Sequence, residues 1–509
     1  MKKYKYIITL LAMFSTIWAC NEDNLEKVDP NNLSPETFFK TATQVESAVN
    51  AVYANLQTRG LYTRHLYFAM DQMGRDAIVN PHQEADKQEY YKWTFGSGHG
   101  GIGAYYEACM KGINKCNFYI GNKESVDALD ASVLSQDLKD KYLGEAKFMR
   151  AYYLFLLVSR FGGVPLITEI PDGPEGFTRS TAAQVYTQIE TDLTEAIPLL
   201  RAKADEENGR STKGAAIGML GKVYLFQNKH QQALDQFELL GSMGYELEDE
   251  YFENFTEENE FGIESIFEVQ YNASLGSSAN WNSQTSGEGA NESSFRAKEY
   301  GFNDWQNNSP HPELIDAFEA GDGRFSDTFY ILGDKFGPGD SETVTTVELT
   351  VDGILREAGS KKFHRYYKVV NEDTESGVNH KVLRYADVLL MMAECENEVG
   401  TQATAVGYIN EVRTRPSTGL AALPTTLTKS EVFDAIVQER RVELAYEQKR
   451  FDDLVRWDLA AAALDSEDHP GTDPSFKFVA GKHELWPIPE REFNSNSNMD
   501  PVADQNPGY

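Results

Sequence analysis

Three of the six tryptophans, Trp93, Trp281 and Trp305, stand close to Gly, Ser, Asn or Asp rather than in a periodic apolar run. An indole plane that faces water can stack on the apolar face of a sugar ring, while amides and carboxylates beside it bind hydroxyls. Asn282 follows Trp281, and Asn303 and Asp304 precede Trp305. Arg75, Asn282 and Asp304 are the hydrogen-bonding candidates that accompany the three rings. The competing reading is that each tryptophan only anchors its own loop. A shared exposed face would separate the two readings.

Other constellations do not support chemistry. Gly96-Ser97-Gly98-His99-Gly100-Gly101 satisfies G-x-G-x-x-G, but no alternating strand–helix pattern surrounds it. A dinucleotide site needs that context, so the run reads as a Gly-rich loop leading into a helix. The nine histidines are scattered without H-E-x-x-H spacing, which gives zinc chemistry no support. No G-x-S-x-G places a nucleophilic serine. With 79 Asp and Glu, accidental carboxylate pairs are guaranteed, so none is singled out for glycoside hydrolysis. The dense charge pattern Glu439-Arg440-Arg441, Glu443, Glu447, Arg450, Asp452-Asp453 and Arg456 reads as a structural helix with acid–base pairs. No catalytic residue, metal ligand or cofactor is assigned.

Composition narrows the class. The chain of 509 residues carries 47 Lys and Arg against 79 Asp and Glu, a formal net charge of -32, which argues against a nucleic-acid partner and against docking on an anionic bilayer. The N-terminus differs from the rest: Lys2, Lys3 and Lys5 precede an apolar run from Ile7 to Ala19. That run falls short of the about 20 residues a spanning helix needs and reads as an export signal. It ends Ile17-Trp18-Ala19-Cys20 before polar residues, which resembles a bacterial lipoprotein signal with Cys20 as the acylated first residue, although Trp18 stands where a small residue is usual. Residues 1–19 are therefore expected to be signal and 20–33 a flexible lipidated tether. Cys109, Cys116 and Cys395 remain; seven helical residues separate the first two by about 10 Å, too far for a disulfide. They read as small buried residues.

Helical periodicity predicts a mostly α fold. Ser34-Pro35 reads as a helix start, followed by Val45, Val49, Val52 and Leu56 at helical spacing. Further helices are expected over 103–122, 139–160, 182–200, 213–228, 231–240, 384–399, 402–414 and 429–464. Leu220, Gly221, Tyr224, Ala233 and Phe237 match a tetratricopeptide unit, and Leu389, Ala393, Ala405 and Ile409 match one more weakly. A further pair is expected around Ala146–Leu157 and Val185–Ile197. The scaffold is thus expected over 34–245 and 380–464, with a loop-rich ligand-side region over about 246–379. Strand-like pieces flank its polar stretch at 265–271, 343–351 and 362–370.

Several motifs together resemble the SusD/RagB family. They are Ala146-Lys147-Phe148-Met149-Arg150-Ala151-Tyr152-Tyr153, Phe161-Gly162-Gly163-Val164-Pro165-Leu166 and Gly209-Arg210-Ser211-Thr212-Lys213-Gly214. In the second half come Arg384-Tyr385-Ala386-Asp387, Glu439-Arg440-Arg441-Val442-Glu443-Leu444, Asp453-Leu454-Val455-Arg456-Trp457, Leu485-Trp486-Pro487-Ile488-Pro489 and the terminal Asn506-Pro507-Gly508-Tyr509. The resemblance implies a SusD-like fold, mainly α, with tetratricopeptide-like helix pairs and a few short strands. It also implies a surface-exposed, lipid-anchored outer-membrane protein that captures oligosaccharide and delivers it to a SusC-like TonB-dependent transporter without catalysis. The motifs are structural and carry no ligand residue across, so the six-residue site remains a reading of this sequence. The alternatives are a RagB-like peptide binder, a surface glycosidase with two carboxylates about 5–10 Å apart, and a tetratricopeptide scaffold that binds only protein.

Overall fold

The computed structural model describes residues 38–80, 82–171, 176–275, 292–347, 349–351, 354–372, 374–464 and 477–509. The signal, tether, Cys20 and the Ser34 start lie outside the described residues. The first described helix, Ala42–Ala54, is opened by Thr41 and Gln44, which form a reciprocal capping box.

Long amphipathic helices build the scaffold by packing against their sequence neighbours. Gly100–Gly121 packs on Gln136–Phe161, which packs on Ala182–Ala196, then Lys213–Leu225 and His230–Gly241. His230–Gly241 in turn packs on Tyr385–Val399, so the array crosses from the first half of the chain to the second, where Gln402–Arg413 and Lys429–Glu443 complete it. The pairs 213–225 with 230–241 and 385–399 with 402–413 are the two tetratricopeptide matches. A Cβ at Gly221 would lie 2.4 Å from the ring of Phe237, so only glycine permits that helix–helix approach. Gly112 does the same beneath the ring of Tyr153. Leu389, Ala393, Ala405 and Ile409 share one buried cluster. Cys109, Cys116 and Cys395 are buried free thiols.

Between the helical halves the chain changes character. Among the described residues of 246–379 no helix exceeds five residues. The strand Ser265–Val269 pairs antiparallel with His380–Arg384. This ribbon returns the intervening segment to the scaffold where it departed. Ala77–Val79 pairs with Asn308–Pro310, and Phe329–Ile331 with Ala358–Ser360. The first pairing ties the segment to the N-terminal half. The expected strand over 362–370 does not form: Phe363 takes a left-handed φ of 62°, and the residues after it run through turns.

The expected helix over 429–464 is broken into Lys429–Glu443, Arg450–Arg456 and Ala460–Ala463. Its interruption has an electrostatic cause. The carbonyl of Glu443, at the first helix's end, accepts hydrogen bonds from Arg384 Nη2 at 2.8 Å, Lys362 Nζ at 3.0 Å and Tyr251 Oη at 2.6 Å. Cations favour a helix C-terminus, and a carbonyl held by three outside donors does not accept the next helical N–H. Tyr446 and Gln448 then turn the chain with φ of 62° and 60°.

The side chains of this region form a buried ionic network. Arg384 donates to Glu443 and Glu264 at 2.6 Å and to Glu447 at 2.8 Å. Arg415 reaches Glu443 at 3.0 Å, and Arg324 binds Glu443 at 2.9 Å, Glu439 at 2.6 Å and Asp322 at 2.8 Å. Burial alone would raise the carboxyls of Glu443 and Glu447, but the surrounding cations outweigh it and hold both below the ordinary range. The charged helix is structural, and its acids and bases reach other elements as well as each other.

Replacing one member strands the others without water. Glu443→Ala is expected to cost about 3–5 kcal/mol, read as a lower denaturant midpoint. Because Glu443 and Glu447 titrate lower folded than unfolded, their stabilisation is complete above the unfolded Glu pKa of about 4.3 and is lost as pH falls below it. The wild-type midpoint should therefore drop on acidification through that range. Glu443→Gln should show a shallower drop; an equal slope would contradict the assignment.

Candidate functional site

Trp305 is the one aromatic residue among the exposed large apolar side chains of the described residues, at 39% accessibility. Its loop is held from both sides. The Trp305 N–H donates to the carbonyl of Lys298 at 3.2 Å, and the Asn307 N–H to that of Glu299 at 2.7 Å. Gln306, between them, adopts a left-handed φ of 48°. Such a conformation persists in a non-glycine residue when its surroundings over-determine it, and here the β-pairing that starts at Asn308 and the helix Arg296–Tyr300 fix both flanks.

Asp304 works inward. Its Oδ1 accepts from Lys298 Nζ at 2.5 Å, and its Oδ2 from Tyr366 Oη at 2.5 Å and the Glu372 N–H at 2.9 Å. The side chain is only 2% exposed. Burial, and then the Asp304 charge, push the Tyr366 hydroxyl far above its ordinary value, which keeps it a donor. Asp304 therefore positions the Trp305 loop rather than binding a ligand. Asn303 is exposed and donates to the carbonyl of Val370 at 3.1 Å and to Asn371 Oδ1 at 3.0 Å.

A second segment meets this loop. The Asn80 N–H donates to the Asn307 carbonyl at 2.9 Å, and Asn80 Nδ2 to the Gln306 carbonyl at 3.2 Å. Asn80 thus lies against the tryptophan loop, held by its backbone and its side chain. No local pattern in the sequence points to it, because a strand pairing between positions more than 200 residues apart brings it here.

Two of the other sequence candidates belong to the interior. Trp93 ends the helix Ala85–Lys92 in a left-handed conformation, with φ 57°, and is 6% exposed. Its ring lies 5.2–5.7 Å from His483, Phe478 and Phe451. It is core and presents no face for stacking. Arg75 is buried too, and its guanidinium donates to the Leu464 carbonyl at 2.9 Å, Glu313 at 3.3 Å and the Ala463 carbonyl at 3.4 Å. Trp281 and Asn282 lie outside the described residues. A recess of about 430 Å³ elsewhere in the described residues is lined by residues that include Tyr53, Gln57, Asn208, Arg210, Gln270 and Glu292.

Among the described residues no group of three or more His, Cys, Asp or Glu is placed to hold a metal ion. No helix among them is long and apolar enough to cross a membrane. The Gly-rich run leads into the helix Gly100–Gly121, and His99 Nδ1 caps it by accepting from the Ile102 N–H at 3.1 Å.

Comparison with known proteins adds the following. Residues 356–509 match the SusD family, and residues 23–225 match a family described as starch-binding and associating with the outer membrane. SusD-like protein P2 of Formosa agariphila is 28% identical over the full length of both chains. A SusD-like protein of Bacteroides ovatus is 25% identical over 65% of this chain and 62% of its own. Among solved structures, a laminarin-binding SusD-like protein is 30% identical, covers 92% of this chain with all of its own, and superposes with a TM-score of 0.76. A SusD superfamily protein from Bacteroides vulgatus, 24% identical, covers 93% of this chain with all of its own at a TM-score of 0.78 and shares the fold.

Burial separates the two tryptophans experimentally. Trp93→Ala should cost about 3–5 kcal/mol of stability, whereas Trp305→Ala should stay within about 0.5 kcal/mol. Thermal melts of the two variants measure this directly.

Proposed function

The chain belongs to the SusD/RagB family, and on that premise we propose that it is a non-catalytic, lipid-anchored glycan-binding protein of the outer-membrane surface. It captures oligosaccharide and delivers it to a SusC-like TonB-dependent transporter. The observation that carries the glycan reading is Trp305, an exposed indole on a loop whose backbone and flanking residues are already fixed. A rigid aromatic surface loses little freedom when a ligand settles on it, and the exposed Asn303, two residues before the ring, adds an amide to the same loop. The laminarin binding of a relative at 30% identity supports the same ligand class.

The geometry also bears on catalysis at this place. Glycoside hydrolysis needs one carboxyl to give a proton and another to act as base or nucleophile. The carboxylate beside Trp305 is Asp304, whose oxygens accept three hydrogen bonds from protein donors. It is sealed from a substrate.

Affinity electrophoresis against a polysaccharide panel tests the proposal, with sugar release assayed in the same samples. One glycan should retard the protein without cleavage. Trp305→Ala should weaken that binding by about thirtyfold, or roughly 2 kcal/mol. Release of sugar would replace this reading with a glycosidase, and retention by peptides alone would replace it with a peptide carrier. Anchoring is tested separately: Cys20→Ala should lose acyl mass and no longer partition with membranes.

A further inference from the structure

The recess of about 430 Å³ shares no residue with the Trp305 loop. Three segments wall it. Asn50, Tyr53 and Gln57 come from the helix Ala42–Ala54 and the turn after it, Asn208 and Arg210 from the approach to Lys213–Leu225, and Gln270 from the end of the strand Ser265–Val269. Gln57 Nε2 donates to the Gln270 carbonyl at 2.8 Å, which ties the first wall to the third. The first and second walls are tied through Glu145. Tyr53 Oη donates to Glu145 Oε2 at 2.6 Å and accepts from the Ser211 N–H at 3.0 Å. Arg210 Nη1 reaches the same carboxylate oxygen at 3.2 Å, and its guanidinium lies 5.9 Å from the Tyr53 ring centroid. These groups are committed to the protein and hold the walls in place.

Other lining groups are not committed. Asn50, Asn208 and Gln270 are exposed, and their side chains hydrogen-bond no other described residue. Each carboxamide offers both donors and an acceptor. A smaller cavity of about 30 Å³ adjoins the recess and shares Glu207, Asn208, Gly209, Arg210 and Glu268 with it. That volume holds one water-sized group. Glu206 lines it, with a side chain only 1% exposed. Its Oε1 is held by Lys141 at 2.6 Å and by the Glu207 N–H at 2.9 Å, while its Oε2 has no hydrogen-bond partner among the described residues. A carboxylate oxygen can only accept, and burying it without a donor is costly.

The ligand class follows from these groups. A volume of about 430 Å³ lies in the range of small-ligand sites, and the uncommitted amides call for a ligand rich in groups that both donate and accept. A sugar ring has a hydroxyl on most of its carbons. One such hydroxyl, being terminal, can enter the small cavity and donate to Glu206. A peptide also pairs with amides, but its backbone N–H groups are flanked by chain on both sides and cannot enter a cavity one water wide.

We propose that this recess is a second oligosaccharide-binding site, where Asn50, Asn208 and Gln270 bind ring hydroxyls and Glu206 Oε2 accepts from one of them. The inference rests on the reading of the chain as a glycan binder and is independent of Trp305. Two sites on one chain hold a polysaccharide at two places, which raises avidity.

Calorimetric titration of the purified full-length chain tests this, with laminaritriose, isomaltotriose and xylotriose as sugar probes and trialanine as the peptide probe. The variants are Trp305→Ala, a recess variant combining Asn208→Ala and Gln270→Ala, and Glu206→Gln on the Trp305→Ala background. Melting curves confirm that each is folded. One trisaccharide should bind wild type at two per chain, and both Trp305→Ala and the recess variant at one per chain. Glu206→Gln should weaken the event that survives in Trp305→Ala by about tenfold. Binding that the recess variant leaves unchanged would overturn the second site, and its loss in Trp305→Ala would leave the platform standing. Binding at one per chain that only the recess variant abolishes would support the second site and overturn the platform. No heat from any trisaccharide would overturn both sites and the glycan reading with them, and heat from trialanine alone would assign the recess to peptides. An unchanged affinity in Glu206→Gln would remove Glu206 from its role.

Discussion

Arg384 and Glu443 hold the two halves of this molecule in one geometry. Arg384 closes a strand that pairs with Ser265–Val269, and Glu443 closes the last long scaffold helix. Their contact, with Glu264, Arg324, Arg415, Lys362 and Glu447 around it, gathers groups from both ends of the non-helical segment and from its middle. Each charge is out of water, so each depends on the others for compensation. Such a cluster adds little net stability over a well-packed apolar core. Its use is definition, because a displaced helix or a slipped ribbon would leave a buried ion without a partner.

That definition passes to the site through backbone pairing. The same network turns the chain at 444–449, where Gln448 Nε2 binds Asp71 at 2.8 Å and the Tyr446 N–H donates to Asp76 at 3.3 Å. Residues 77–79 then pair with 308–310, whose preceding loop carries Trp305. From the ionic centre to the exposed indole runs a chain of buried hydrogen bonds and strand pairing. Asp304 seals the loop's inner side with three donors, so the ring outside it is presented on a fixed base. For the proposed glycan capture such a surface has a use, because preorganisation lowers the entropic cost of binding.

The family relationship and the local chemistry meet at this point. Membership accounts for the helix array, and the motifs that reveal it fall on buried residues such as Arg150, Arg384, Glu443 and Trp486. Those residues build the scaffold, and they say nothing of the ligand. The proposed ligand contact is instead Trp305, whose ring is exposed and not packed into the core.

How far the sequence could be read follows from the range of the forces involved. The helices from 100–121 to 402–413 were legible to within a few residues, because periodic apolar burial and N-caps such as Thr181 and Thr212 act over one or two turns. So was the glycine–phenylalanine contact of Gly221 and Phe237, which a single helix pair determines. The break after Glu443 was not legible, since the donors that end the helix come from residues 251, 362 and 384. The same limit governs the tryptophans. Trp93 and Trp305 have similarly polar neighbours, and local composition cannot tell them apart. Residues 451, 478 and 483 enclose the first, whereas a strand pairing across 230 positions holds the second at the surface. The sequence by itself determined the mainly helical scaffold, its family and the absence of a recognisable catalytic motif, because these rest on local periodicity and short motifs. Only the tertiary structure decided which aromatic faces water and which carboxylate lies beside which cation, because exposure and pairing belong to surfaces that distant segments build together.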